Sequence, residues 1–118
     1  MLHSNGKLII LKKLEDWLVL LQPSLRNFPK AARFTLAQKI ETASLECFDE
    51  VIRANLNKKK RPEHILQARV CTERLQLLIR VARTHEWIDM RHYELFSEKL
   101  TELSKMLSGW AHASASLS

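Results

Sequence analysis

The sequence predicts an all-α protein, an antiparallel up-down-up-down four-helix bundle. Apolar residues recur at i, i+3, i+4 and i+7 in four successive stretches, the mark of helices that each bury one face. The 118-residue chain holds only 2 Gly and 3 Pro, too few for a phosphate-binding glycine loop or a series of tight hairpins. The breaks between the stretches are short, which makes consecutive helices antiparallel neighbours. The length suits one domain, residues 1–118.

The first helix is expected over about 7–22, where Ile10, Leu11, Leu14, Trp17, Leu18 and Leu21 share one face. Pro23 and Pro29 bracket the first connection, and Pro29 suits the opening of the next helix because its missing N–H costs nothing there. The second helix is expected over about 30–56. Its stripe is Leu36, Ile40, Ala43, Cys47, Val51 and Ala54, widened by Phe34, Phe48 and Ile52, with Gln38, Thr42, Glu46, Asp49 and Arg53 on the wet side. Asn57-Lys-Lys-Lys-Arg61 follows, and consecutive cations repel and stay hydrated, so this is an exposed connector.

The third helix is expected over about 62–85, opened by Pro62. Cys71, Leu75, Leu78 and Ala82 form its central line, and Val70, Leu77, Ile79 and Val81 widen the apolar arc to about 200°. One neighbouring helix does not need so wide an arc. Either this helix is central in the bundle or it also packs against another subunit. Arg74 falls inside the arc, so its guanidinium must reach an acidic partner or the edge. The fourth helix is expected over about 90–112, with Asp89 as N-cap and Leu95, Phe96, Leu100, Leu103, Met106, Leu107 and Trp110 facing in. The small polar tail after residue 112 is expected to fray.

Charge is distributed unevenly. Of the net +6, residues 51–91 contribute ten basic and four acidic side chains, while the flanking segments nearly cancel. A one-sided basic region favours an acidic partner, nucleic acid or an acidic protein surface. The candidate contacts are Lys58, Lys59, Lys60 and Arg61 in the connector, then Arg69, Arg80 and Arg83 on the third helix, with Lys30 and Arg33 at the opening of the second. No apolar run reaches the length of a membrane span or a signal peptide, and the reading is a cytoplasmic protein with reduced cysteines.

Catalytic groupings are weak. His85, Asp89 and His92 have metal-like spacing, but a helix break divides them and no fourth ligand is near, so they read as a connector with an N-cap. Glu46, Asp49 and Glu50 read as solvated charges on the polar face of the second helix. No Glu-x-x-His motif occurs, which argues against a ferritin-like di-iron site. Cys47 and Cys71 read as buried thiols, and Trp17 and Trp110 as core. Trp87 falls at a connector and is expected to be exposed. No cofactor and no enzymatic activity are expected.

Phe28-Pro-Lys-Ala-Ala-Arg-Phe-Thr-Leu36 resembles a Pro-Lys-x-x-Arg-(aromatic)-x-Leu opening of a second helix. Arg53-Ala-Asn55 before the lysine run, Leu75-Gln-Leu-Leu-Ile-Arg80, and Leu107-Ser-Gly-Trp110 follow in the matching order. Together they resemble the accessory variability determinant (Avd) proteins of bacterial diversity-generating retroelements, with the ribosomal-RNA intervening-sequence proteins as wider relatives. The likeness spans about residues 7–112. It implies a four-helix bundle assembled as a ring-shaped homopentamer. It also implies a non-enzymatic accessory role, binding reverse transcriptase and template RNA or cDNA through a basic surface to support mutagenic reverse transcription. The alternative is an oligomeric four-helix interaction protein of the intervening-sequence type with no nucleic-acid role. Ser108 stands where the late signature often has glycine, and the tail lacks basic residues.

Overall fold

The computed structural model describes residues 4–117. Four long helices and one single-turn helix run in the order α1 (Ser4–Arg26), α2 (Lys30–Arg33), α3 (Leu36–Leu56), α4 (Arg61–Thr84) and α5 (Met90–Leu117), with no strand among the described residues. The long helices form a square antiparallel bundle in which α1 and α4 lie on opposite corners, each packed between α3 and α5. The molecule is 47 Å long, with the α3–α4 connector at one end and the α1–α2 and α4–α5 connectors at the other.

The core follows the apolar stripes read from the sequence. Ile10, Leu14, Trp17 and Leu21 meet Ile40, Cys47, Val51, Leu75, Ile79, Phe96, Leu100 and Leu107, all buried. Trp17 and Phe96 pack edge to face at 5.4 Å between ring centres, a geometry worth about 1 kcal/mol beyond the area it buries. The Trp17 indole N–H donates to Ser44 Oγ at 2.8 Å, and the Ser44 hydroxyl donates to the Ile40 carbonyl, also at 2.8 Å. A buried indole therefore keeps its partner, and its partner is satisfied in turn. α3 and α4 approach most closely because Ala54, Cys47, Ala68 and Thr72 are small. Cys47 Sγ lies 3.8 Å from the Ala68 carbonyl oxygen and 3.7 Å from Thr72 Oγ1.

Four local features depart from the sequence expectation. α1 does not stop before Pro23 but carries it and ends at Arg26. Pro23 is exposed and only one turn from the end, so the hydrogen bond it forgoes leaves a carbonyl facing water, while the extra turn buries Leu25. The second expected helix is broken at Phe34 and Thr35, where Thr35 adopts φ −120°, ψ −94° and its hydroxyl turns toward the Ala31 and Ala32 carbonyls. The break turns Phe34 out of the stripe assigned to it, and Phe34 is 76% exposed. At the other end α5 continues to Leu117, because Ala113 and Ala115 favour helix and no Gly or Pro stops it there; Ser118 lies outside the described residues.

Trp87 is the fourth departure: it is half-buried against the core, its ring 5.6 Å from that of Phe28. The connector that carries it ends α4 with a Schellman pair. Trp87 N–H bonds the Ala82 carbonyl at 3.0 Å and Glu86 N–H bonds the Arg83 carbonyl at 2.8 Å, with Glu86 at φ 63°. No described helix is long and apolar enough to cross a membrane.

Candidate partner-binding surface

The α3–α4 connector begins where Asn57 ends α3, and Asn57 Oδ1 accepts the Lys60 backbone N–H at 3.0 Å. Lys58, Lys59 and Lys60 project from this turn, fully in solvent, with no ion-pair partner among the described residues. Arg61 behaves differently from its neighbours. Its Nε donates to the Ala54 carbonyl at 2.8 Å and its terminal nitrogen to the Asn55 carbonyl at 3.2 Å. It thus caps the last turn of α3, where carbonyls lack helical partners and the helix dipole favours a cation. The same guanidinium lies 5.9 Å from the centre of the Trp110 ring, whose buried N–H has no hydrogen-bond partner among the described residues.

On α4, Arg69 and Arg80 are exposed and have no ion-pair partner among the described residues, whereas Arg83 is half-buried and donates to the Ile88 carbonyl at 2.8 Å, bracing the α4–α5 connector. Lys30 and Arg33 lie at the same end as Arg83. Lys30 is exposed, and Arg33 Nε donates to the Phe28 carbonyl at 3.1 Å. The nine basic residues singled out from the sequence therefore do not form one patch. Lys58, Lys59, Lys60 and Arg61 cluster at one end of the 47 Å bundle, Lys30, Arg33 and Arg83 stand at the other, and Arg69 and Arg80 lie along the helix between.

The arc of α4 divides in two. Cys71, Leu75, Ile79 and Ala82 are buried within the bundle. Leu66, Val70, Leu77 and Val81 form an uncovered stripe, 37–55% exposed, interleaved with Arg69, Glu73 and Arg80. Leu66, Arg69, Val70, Glu73 and Ser104 line a shallow groove of about 330 Å³ on this side. On the opposite edge of the bundle, Leu18, Val19, Gln22, Glu41 and Leu45 line another of about 320 Å³, with Val19 70% exposed. Phe34 stands between two more: about 550 Å³ against α4, beside Lys39, Arg74 and Leu78, and about 340 Å³ against α1. Arg74 meets Glu46 across α3 and α4 at 2.9 Å, the acidic partner its place in the arc required.

Several other titratable groups are engaged structurally. Glu50, expected in solvent, is half-buried, accepting from Arg53 at 2.8 Å and meeting His64 Nδ1 at 2.8 Å. Asp89 caps α5, accepting the His92 backbone N–H at 2.7 Å. That bond, with the His92 side chain, holds the Asp89 carboxyl below the usual carboxylate range. Among the described residues no three His, Cys, Asp or Glu side chains are grouped to hold a metal ion. Burial pushes the Cys47 thiol up to about 12 and raises that of Cys71, so both stay protonated at neutral pH. The uncovered half of α4 and the turned-out Phe34 were not distinguishable in the sequence, because both lie in apolar stripes.

Fold and surface together define a small, basic four-helix-bundle protein. The model of the bAvd-like family matches residues 8–114, nearly the whole chain, and the chain belongs to that family. Its fold is similar to that of a crystal structure from Bacteroides thetaiotaomicron, a protein of unknown function from the S23 ribosomal protein family. The two share 13% sequence identity and a TM-score of 0.80, over 91% of this chain and 98% of that one. At that identity the likeness concerns the fold alone. No curated protein matches the sequence.

Proposed function

We propose that this protein is the non-enzymatic accessory subunit of a diversity-generating retroelement, working in the cytoplasm as a ring-shaped homopentamer. In this reading it binds the element's reverse transcriptase and template RNA or cDNA. The observation that carries the reading is the set of exposed cations without an ion-pair partner among the described residues, Lys58, Lys59 and Lys60 with Arg69 and Arg80, on a member of the bAvd-like family. A ring repeats that set once per subunit, so a modest charge becomes a multivalent polyanion site. Arg61, Arg83 and Arg33 contribute charge while their guanidinium groups hold the connectors in place. The uncovered α4 stripe and the apolar groove on the opposite edge of the bundle support a head-to-tail contact of the kind that closes rings.

Salt dependence tests the proposal. Log affinity for RNA is expected to fall with log salt by roughly 0.7–0.9 per phosphate neutralised. Lys58→Gln, Lys59→Gln and Lys60→Gln together should lower that slope and weaken all RNA sequences about equally. Arg80→Glu should abolish co-purification with the reverse transcriptase while helical content and oligomer mass hold. A flat salt response, or no RNA binding at low salt, would overturn the RNA role. It would leave the second reading, an oligomeric interaction protein without nucleic acid, for which the uncovered α4 stripe alone is sufficient.

A further inference from the structure

At the end of the bundle opposite the lysine connector, three rings are stacked from the core outward. Phe28 is buried, and its ring centre lies 5.6 Å from that of the half-buried Trp87. The imidazole of His85 lies flat on Trp87, 4.4 Å between centres with 14° between planes, and His85 is exposed. The backbone between the two rings is strained, since Glu86 sits in the left-handed region at φ 63°, which a non-glycine residue rarely adopts. The Schellman bonds from Trp87 and Glu86 hold that backbone geometry, which sets where both rings leave the chain.

Two cations follow Phe28, the innermost ring, in the chain. Arg33 is anchored on the Phe28 carbonyl at 3.1 Å, and exposed Lys30 follows Phe28 by two residues. Carboxylates share this end too: Asp89 is engaged by His92, Glu41 lines a groove with Arg33 and accepts from Gln22 at 2.8 Å, and Glu86 is exposed without an ion-pair partner among the described residues. An aromatic face at the same end as two cations matches an unpaired nucleobase, whose π face stacks while its phosphates meet the basic groups.

We infer that His85, backed by Trp87 and Phe28, is a stacking platform for an unpaired base of single-stranded RNA, with Lys30 and Arg33 contacting the adjoining phosphates. This rests on the RNA-binding reading above and adds a contact to the base where the lysine connector meets only backbone. The two ends are far enough apart to act separately, so they can be tested separately.

The test compares a 12-nucleotide oligoadenylate with an abasic strand of the same length and charge, by fluorescence anisotropy on the full-length protein. Wild type is expected to bind the base-bearing strand about 5- to 10-fold more tightly, toward the lower end of the gain from one stacked base. His85→Ala should bring that ratio to about 1 without changing affinity for the abasic strand, and His85→Tyr should restore it. Lys58→Gln, Lys59→Gln and Lys60→Gln together should weaken both strands alike and leave the ratio intact. Equal binding of both strands by wild type, or an unchanged ratio in His85→Ala, overturns the platform while the RNA-binding reading stands. Failure to bind either strand overturns both. A fall in oligomer mass for His85→Ala assigns the ring to a subunit contact and overturns the platform.

Discussion

Arg61 lies with its guanidinium 5.9 Å from the centre of the Trp110 ring while it donates to the Ala54 carbonyl at 2.8 Å. One side chain thus ties the end of α3 to the end of α5. Arg61→Ala is expected to lower stability by about 1–3 kcal/mol, because it leaves two carbonyls of a helix end without donors and uncovers an indole face. Thermal unfolding measures the loss. The contrast is the triple Gln variant of Lys58, Lys59 and Lys60, whose unfolding midpoint should match wild type because those exposed side chains make no hydrogen bond or ion pair among the described residues.

Ser44 is the hydrogen-bond partner of the buried Trp17 indole. Ser44→Ala leaves that N–H unsatisfied in the core, at a cost of about 1–3 kcal/mol. In a Trp17→Phe background the same change should cost much less, since no donor is stranded. A double-mutant cycle by urea denaturation reads the difference, and equal costs in the two backgrounds would show the bond to be without net effect.

Glu86 occupies the position after α4 that most often holds glycine. Glu86→Gly is expected to raise stability by about 1 kcal/mol, with the unfolding midpoint rising by several degrees. Circular dichroism during heating checks the sign.

In the proposed assembly the exposed α4 stripe of Leu66, Val70, Leu77 and Val81 is the subunit contact. Leu77→Arg is expected to dissociate the assembly while leaving helical content unchanged, because Leu77 is half exposed and outside the core. Light scattering coupled to size exclusion should move from a multiple of 13.8 kDa to a single subunit mass. A wild-type mass near 13.8 kDa would remove the interface.

Cys47 gives a pH dependence. Its thiol is raised by burial from 9.0 to about 12. The folded state holds this proton more tightly than the unfolded chain. The contribution is therefore fully present below pH 9.0 and is lost as pH rises toward about 12. Denaturation of wild type and Cys47→Ala across that range should show a shallower alkaline loss in the variant. Parallel curves would contradict it.

The number of long helices, their order and their inward faces were legible in the sequence, because helical periodicity is a local property. Ile10 to Leu21 and Phe96 to Trp110 fall inward wherever their helices go. The Arg74–Glu46 pair was half legible: a cation inside an apolar arc demanded a partner, though not which one.

What only the tertiary structure decided lies where two elements meet. The periodicity of Ala32, Leu36 and Ile40 reads straight through the break at Thr35, and nothing in it turns Phe34 outward. Pro23 reads as a stop, but burial of Leu25 one turn later carries the helix on. The sequence specified a wide apolar arc on α4; packing against α3 and α5 selected the half that is covered. It also specified nine basic residues. Helix ends and connectors engaged Arg61, Arg83 and Arg33, because their carbonyls need donors that the helices cannot supply. Lys58, Lys59, Lys60, Arg69, Arg80 and Lys30 engage no carbonyl among the described residues and are exposed.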